Sequence, residues 1–115
     1  MPTEPTSRTE LVPGTLILLV LRVLDSGPLH GYAIAQRISV LSGEVLRVEE
    51  GSLYPALQRM QVKGWIASEA RKSPTGREAR YYRLTAAGRR QLGQEESSFA
   101  RSVAATVRVL KGAAS

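Results

Sequence analysis

Nine residues near the start of the chain, Leu16 to Leu24, carry a single polar side chain, Arg22, and lie between Pro13-Gly14 and Gly27-Pro28. The run is long enough for a helix, with Thr15 as its expected N-cap. A helix that is apolar all the way round must be covered all the way round. In 115 residues, 43% of them apolar, there is material for one domain and an extension but not for a second core. One flank of the helix can rest on the domain's own core. The other needs a further surface, and a partner subunit is the first expectation.

After the Gly27-Pro28 break, Leu29 to Leu41 resumes a helical pattern with Tyr32, Ala35, Ile38 and Leu41 on one side, ending at Ser42-Gly43. Val45 to Val48 alternates and is expected to add a small third strand. Then comes GSLYPALQRM, Gly51 to Met60, in which Leu53, Leu57 and Met60 stand at i, i+4 and i+7 and form one stripe that can be buried. The opposite face presents Ser52, Tyr54, Pro55, Gln58, Arg59 and Gln61, which can donate, accept, stack and touch methyl groups at the edge of a DNA base. Pro55 is expected in the first turn, where a missing backbone N–H has no intrahelical partner to lose. Lys63-Gly64 closes the helix.

Trp65 to Lys72 and Glu78 to Leu84 read as two strands joined by Ser73-Pro74-Thr75-Gly76-Arg77, a Pro/Gly turn with basic flanks. Alternation puts Arg80 and Tyr82 on one face and Tyr81 and Arg83 on the other, and either face can be the inner one. Trp65 and at least one of the two tyrosines should be core. Three helices followed by a basic hairpin make a mainly α, α+β chain with the layout of a winged helix-turn-helix.

Thr85 is a good N-cap, and no proline interrupts Ala86 to Leu110. As one helix that segment would run about 37 Å, more than so small a domain can cover, so its end must leave the body. Leu92, Phe99, Val103, Val107 and Leu110 fall at spacings suited to a seam against another helix. Gly88 and Gly93 each weaken a helix interior by ~1 kcal/mol, which leaves a kink or a late start open. The expected organisation is a flexible arm over 1–13, a winged-helix domain over 14–84, a dimerisation helix over 85–111 and a frayed tail over 112–115.

The formal net charge of +6 is carried by one segment: Lys63 to Arg90 holds eight basic residues against two acidic ones, and the rest of the chain is neutral. A basic segment of this kind points to an anionic partner such as nucleic acid, although a charge run is also the ordinary dress of a solvated face. With no cysteine, neither a disulfide framework nor a thiolate metal site can form, which fits a reducing compartment. The longest apolar run, Leu16 to Leu21, is too short to cross a bilayer, and the polar stretch Met1 to Glu10 does not resemble a signal peptide. A soluble, cytoplasmic protein without membrane contact is expected. Enzyme chemistry has little to stand on: a Ser-His-Asp triad would need the single histidine, His30, and the single aspartate, Asp25, to converge on one serine. His30 has no carboxylate at a helical spacing that could share a metal, and it is expected to begin the second helix. No cofactor is expected.

GTLILLVLRVL (Gly14 to Leu24), PLHGYAIAQRI (Pro28 to Ile38), EEGSLYPALQRMQVKGWI (Glu49 to Ile66) and REARYYRLTAAGRRQL (Arg77 to Leu92), in this order and spacing, resemble the PadR family of bacterial transcriptional regulators. The pairing of HGY with GSLYPAL, followed by YYRLT, is the specific part. The resemblance implies a winged helix whose C-terminal helix forms a homodimer, and for most members a repressor released by a small hydrophobic or aromatic effector. It implies that Ser52, Tyr54 and Pro55 approach the DNA major groove and that the wing at Gly76 and Arg77 reaches phosphate or the minor groove. Gln58 and Arg59 extend the reading face, and Arg71, Lys72, Arg77 and Arg80 would neutralise phosphates on an inverted-repeat operator. The dimer interface would take Leu16, Leu19, Val20 and Val23 together with Leu92, Phe99, Val103, Val107 and Leu110. This chain resembles the shorter subclass, with one helix after the wing and without the larger C-terminal domain of longer members. Phe99, with Val103 and Leu18, either lines an effector pocket between subunits or simply packs the dimer. Two rivals stand beside this reading: a winged-helix module that docks protein instead of DNA, and a constitutive regulator with no ligand.

Overall fold

The computed structural model describes residues 11, 14–72 and 74–113. The arm expected over 1–13 lies outside the described residues apart from Leu11, as do Ser73 and the last two residues of the expected tail.

The apolar run forms α1, Leu16–Leu24, with Val20 and Leu21 fully buried and Val23 and Leu24 nearly so. Thr15 takes the N-cap position, but its side chain makes no capping bond and its backbone is already helical; the carbonyl accepts from Leu19 N–H at 3.0 Å. Only the backbone half of the expected cap therefore forms. Gly27, at φ +144°, turns the chain, and Leu29–His30 becomes a short strand, β1. The small third strand is thus here and not at Val45 to Val48, where Leu46 makes only an isolated bridge. β1 is possible at this point because it runs beside the hairpin, with Leu29 opposite Tyr82 and His30 opposite Tyr81.

The second helix, α2, spans Gly31–Leu41, two residues shorter than expected because those residues are in β1. His30 starts it, its Nδ1 accepting from Ala33 N–H at 3.2 Å. The buried side is Gly31, Ile34 and Ile38, not the side bearing Tyr32 and Leu41, which are 59% and 66% exposed. Ala35 and Ile38 belong to both apolar arcs, and the contact with α1 and α3 selects the arc that contains Ile34.

The third helix, α3, spans Glu50–Val62. Leu53, Ala56, Leu57 and Met60 are its buried stripe. Each buried leucine contributes roughly 1.5–3 kcal/mol, so this stripe anchors the helix whatever its outer face does. Because α3 begins at Glu50, Pro55 stands inside it and not in the first turn. The carbonyl of Gly51, which Pro55 cannot serve, belongs to an exposed residue that water can reach. The helix ends in a Schellman turn: Gly64, at φ +78°, donates to Gln61 O and Trp65 N–H donates to Met60 O.

Strands β2, Ile66–Lys72, and β3, Glu78–Leu84, pair antiparallel from Ile66 opposite Leu84 to Lys72 opposite Glu78, and the sheet order is β1-β3-β2. Ile66, Tyr82 and Leu84 face the core, while Tyr81 and Arg83 take the outer face. Trp65 is half-buried against the core and stands just before β2.

The last helix, α4, is continuous over Ala86–Ala113, through both Gly88 and Gly93. Thr85 caps it, accepting from Gly88 N–H at 3.0 Å. Gly112 and Ala113, expected to fray, are helical. Two ion pairs tie its first turns to α1 and the turn that follows: Arg89 with Asp25 at 3.2 Å, and Arg22 with Glu96 at 3.6 Å. Beyond that point the side chains from Glu96 to Gly112 are exposed, and the helix projects from the body. None of the described helices is long and apolar enough to cross a membrane.

Candidate nucleic-acid interface

The packing of α3 decides which of its residues are available. With Leu53, Leu57 and Met60 fully buried, helical geometry turns Ser52, Tyr54, Pro55, Gln58, Arg59 and Gln61 outward, and all six are exposed. The face continues into Val62 and Lys63, which with Pro55, Gln58 and Arg59 border an open groove of about 370 Å³. Periodicity alone did not single out those two, because Val62 looks like core and Lys63 like a helix stop. Lys63 holds its ammonium 5.4 Å from the centre of the Trp65 ring, where the indole can attract it.

Tyr54 also has an intramolecular seat. It is 43% exposed, and the hydroxyl end of its ring lies over Gly31 at the start of α2. Burial pushes the Tyr82 hydroxyl above its ordinary ionisation range, and the neighbouring Tyr54 adds to that rise while Arg80 opposes it. The outer face of α3 is therefore tied to α2 through a tyrosine. Gly31 is the residue that the sequence signals only indirectly, as a glycine inside a helical pattern.

In the hairpin the turn depends on Gly76, whose φ of +89° other residues seldom adopt. Arg71, Lys72, Arg77 and Arg80 are all exposed. They are not equivalent. Arg71 bonds Glu69 through Nε at 3.3 Å and stacks its guanidinium 4.6 Å from the Tyr81 ring. Tyr81 meets His30 edge to face at 5.5 Å. Arg80 donates to Ser68 Oγ at 3.0 Å. Arg71 and Arg80 are thus oriented by the sheet itself.

The residues expected at a subunit interface fall into three groups. Val20, Val23 and Leu92 lie in the chain's own core, so a partner cannot reach them; the domain uses more of α1 for itself than an all-round apolar run implied. Leu16 and Leu19 are half-buried at the edge of that core. Phe99, Val103, Val107 and Leu110 stand exposed along the projecting part of α4. Leu18, Phe99 and Val103 line one cavity of about 390 Å³ between α1 and α4, with Thr15, Glu95 and Val107 at its walls.

A helix-turn-helix body that holds one polar helix face outward, followed by a two-stranded basic wing and a projecting C-terminal helix, defines a winged-helix protein of the kind that regulates transcription. The chain belongs to the PadR-like family of transcriptional regulators, whose family model matches residues 20–94. That family is one of regulators and not of enzymes. An uncharacterised 37.1 kDa protein encoded in a transposon of Streptomyces fradiae is 45% identical over 84 residues, 73% of this chain and 23% of that protein. The match thus spans under a quarter of that relative's length. Among solved structures, a PadR family transcriptional regulator from Eggerthella lenta superposes with a TM-score of 0.73 at 30% identity, covering 84% of this chain and 82% of the other. Bacillus subtilis PadR in complex with operator DNA superposes with a TM-score of 0.62 at 26% identity, over 70% of this chain and 46% of that one.

Proposed function

We propose that the chain binds duplex DNA as a two-fold homodimer, reads an inverted-repeat operator in the cytoplasm and represses transcription until a small hydrophobic or aromatic molecule releases it. The observation that carries this reading is the outer face of α3: a helix anchored by a fully buried stripe exposes Ser52, Tyr54, Pro55, Gln58 and Arg59 together. Those side chains enter the major groove and read base edges. Arg71, Lys72, Arg77 and Arg80, with the backbone at Gly76, approach phosphates, which sets register and makes binding depend on salt. The relative crystallised with operator DNA supports the assignment.

Pairing of the exposed α4 seam, Phe99 to Leu110, and of the half-buried edge of α1 at Leu16 and Leu19 would join two copies and hold two α3 helices about 34–36 Å apart. The cavity at Leu18, Phe99 and Val103 adjoins that seam. A ligand there can release DNA only by favouring a dimer geometry in which the two reading helices no longer match the groove spacing.

The test begins with duplexes selected from a random pool by the full chain. The expected result is an enriched inverted repeat, bound at micromolar or lower protein by a species of twice the chain mass. Tyr54→Ala should cost roughly 1–3 kcal/mol on the selected duplex and much less on random DNA. Equal losses on both would remove Tyr54 from sequence readout, and a pool with no enriched sequence would set aside specific DNA binding in favour of a protein-docking module. Titration of the complex with planar hydrophobic compounds should displace the DNA; a complex indifferent to all of them is that of a constitutive regulator.

A further inference from the structure

Two helical glycines in this chain meet something where a side chain would begin, and they differ in what they meet. At Gly88 it is backbone; at Gly31 it is the ring of Tyr54. A Cβ on Gly31 would stand 2.5 Å from the Tyr54 hydroxyl oxygen and 2.8 and 2.9 Å from two ring carbons. Ordinary carbon contacts begin near 3.5 Å, so ring and Cβ cannot share the space. Gly31 has no unusual backbone angle, as its φ lies outside the left-handed range. What the position demands is room alone, and the room is taken by one residue.

The contact joins the two most distinctive motifs of the sequence. In HGY, His30 caps α2 through Nδ1 and Gly31 is the first residue of the helix. In GSLYP, Tyr54 is on the outward face of α3 and remains 43% exposed although its hydroxyl end is held. A tyrosine on an exposed helix face ordinarily samples several rotamers, and each costs entropy to select on binding. Here the first turn of α2, at Gly31, bounds the ring on its inward side. Its closeness to Tyr82, felt in that hydroxyl's raised ionisation, agrees with a ring drawn across the start of α2 towards the sheet.

We propose that Gly31 is a specificity-determining positioning residue: by lacking a side chain it lets the Tyr54 ring settle on the first turn of α2, and that seat sets the edge of the ring that α3 presents to a base step. This rests on the reading of Tyr54 as a contact to bases. Gly31 itself touches no DNA in this scheme. Its contribution is the pre-organisation of a neighbour, which acts on discrimination between sequences more than on general affinity for the duplex.

The experiment is a double-mutant cycle on the full chain with Gly31→Ala, Tyr54→Ala and the pair, using the duplex enriched by the wild-type chain and a scrambled duplex of equal length. The readouts are thermal unfolding and the ratio of affinities for the two duplexes. Gly31→Ala should unfold at the wild-type temperature or slightly above it, because alanine favours the helix and an exposed ring can swing aside. Its affinity ratio should fall about tenfold, within the range of one lost base contact. In the Tyr54→Ala background the same substitution should change the ratio less than about twofold. An unchanged ratio in Gly31→Ala overturns the proposal, as does an equal loss with and without Tyr54. A Gly31→Ala chain that fails to fold overturns it too, since the ring and not the backbone is required to yield. If Tyr54→Ala alone keeps the wild-type ratio, the failure lies in the underlying assignment of Tyr54 to base readout, and the inference about Gly31 goes with it.

Discussion

Gly88 lies against the backbone carbonyl of Trp65, so close that a Cβ at that position would fall on the oxygen. The same carbonyl accepts from Thr85 N–H at 3.0 Å, and the single Thr85 Oγ1 proton lies between it, at 2.9 Å, and Gly64 O, at 2.7 Å. The start of α4 is thereby fastened to the end of α3 and the root of the wing. That carbonyl is part of the backbone and is held by Thr85 N–H, so it has little room to step aside, and Gly88→Ala should destabilise the fold by about 1–3 kcal/mol, as overpacking does. Gly93, one turn further on, faces open space and is exposed; Gly93→Ala should stabilise by up to ~1 kcal/mol. Urea unfolding of the two variants distinguishes them by sign.

Pro55 sets helix stability against surface chemistry. It occupies an interior position of α3 and has no N–H to offer the carbonyl of Gly51, an arrangement worth up to ~3 kcal/mol to relieve. Pro55→Ala should raise the melting temperature and weaken binding to the selected duplex at the same time. Loss of both would mean that the proline is needed for the local fold.

The wing arginines should separate by salt dependence. Arg77→Ala should lower the slope of log affinity against log salt by about one unit. Arg71→Ala should lower it by less, because Arg71 already faces Glu69 at 3.3 Å and part of its charge is neutralised before DNA arrives. Fluorescence anisotropy across a salt series gives both slopes.

The proposed subunit pairing through α4 should be open to disruption without harm to the domain. Val103 and Val107 are 42% and 41% exposed in the single chain, so Val103→Arg and Val107→Arg should leave the far-ultraviolet dichroism unchanged and halve the sedimenting mass. Leu92→Arg, by contrast, places a charge in the core and should unfold the chain.

Tyr82 should make the stability of the fold decline at alkaline pH. Burial raises its ionisation above the ordinary value of 10.0, with Tyr54 second and Arg80 opposing. The unfolded chain therefore releases the phenolic proton first. Stability from this group is complete below about pH 10 and falls as pH rises towards the folded value. Denaturant unfolding at increasing pH should show that decline, and Tyr82→Phe should flatten it.

Periodicity and punctuation were enough to delimit α1 and the two strands of the wing and to pick out the buried stripe of α3, because each of these is a local pattern with one solution. The outward set from Ser52 to Arg59 follows from that stripe by helical geometry. α2 was less legible: its two apolar arcs overlap at Ala35 and Ile38, and only the neighbouring helices select the arc with Ile34. The third strand was misplaced because two residues, Leu29 and His30, carry no strand signal of their own and become one only where β3 offers an edge. Val20, Val23 and Leu92 resembled interface positions for a related reason, since apolar character marks burial without saying against what.

The order of residues alone determined that a helix with one buried stripe and one polar face would be followed by a basic hairpin, since hydrophobic period and turn chemistry are properties of neighbours along the chain. The tertiary structure decided how those parts bear on one another: that Gly88 must be small for Trp65, and that Gly31 must be bare for Tyr54. Those requirements arise from the volume of atoms remote in sequence, and close packing permits only one occupant for each space.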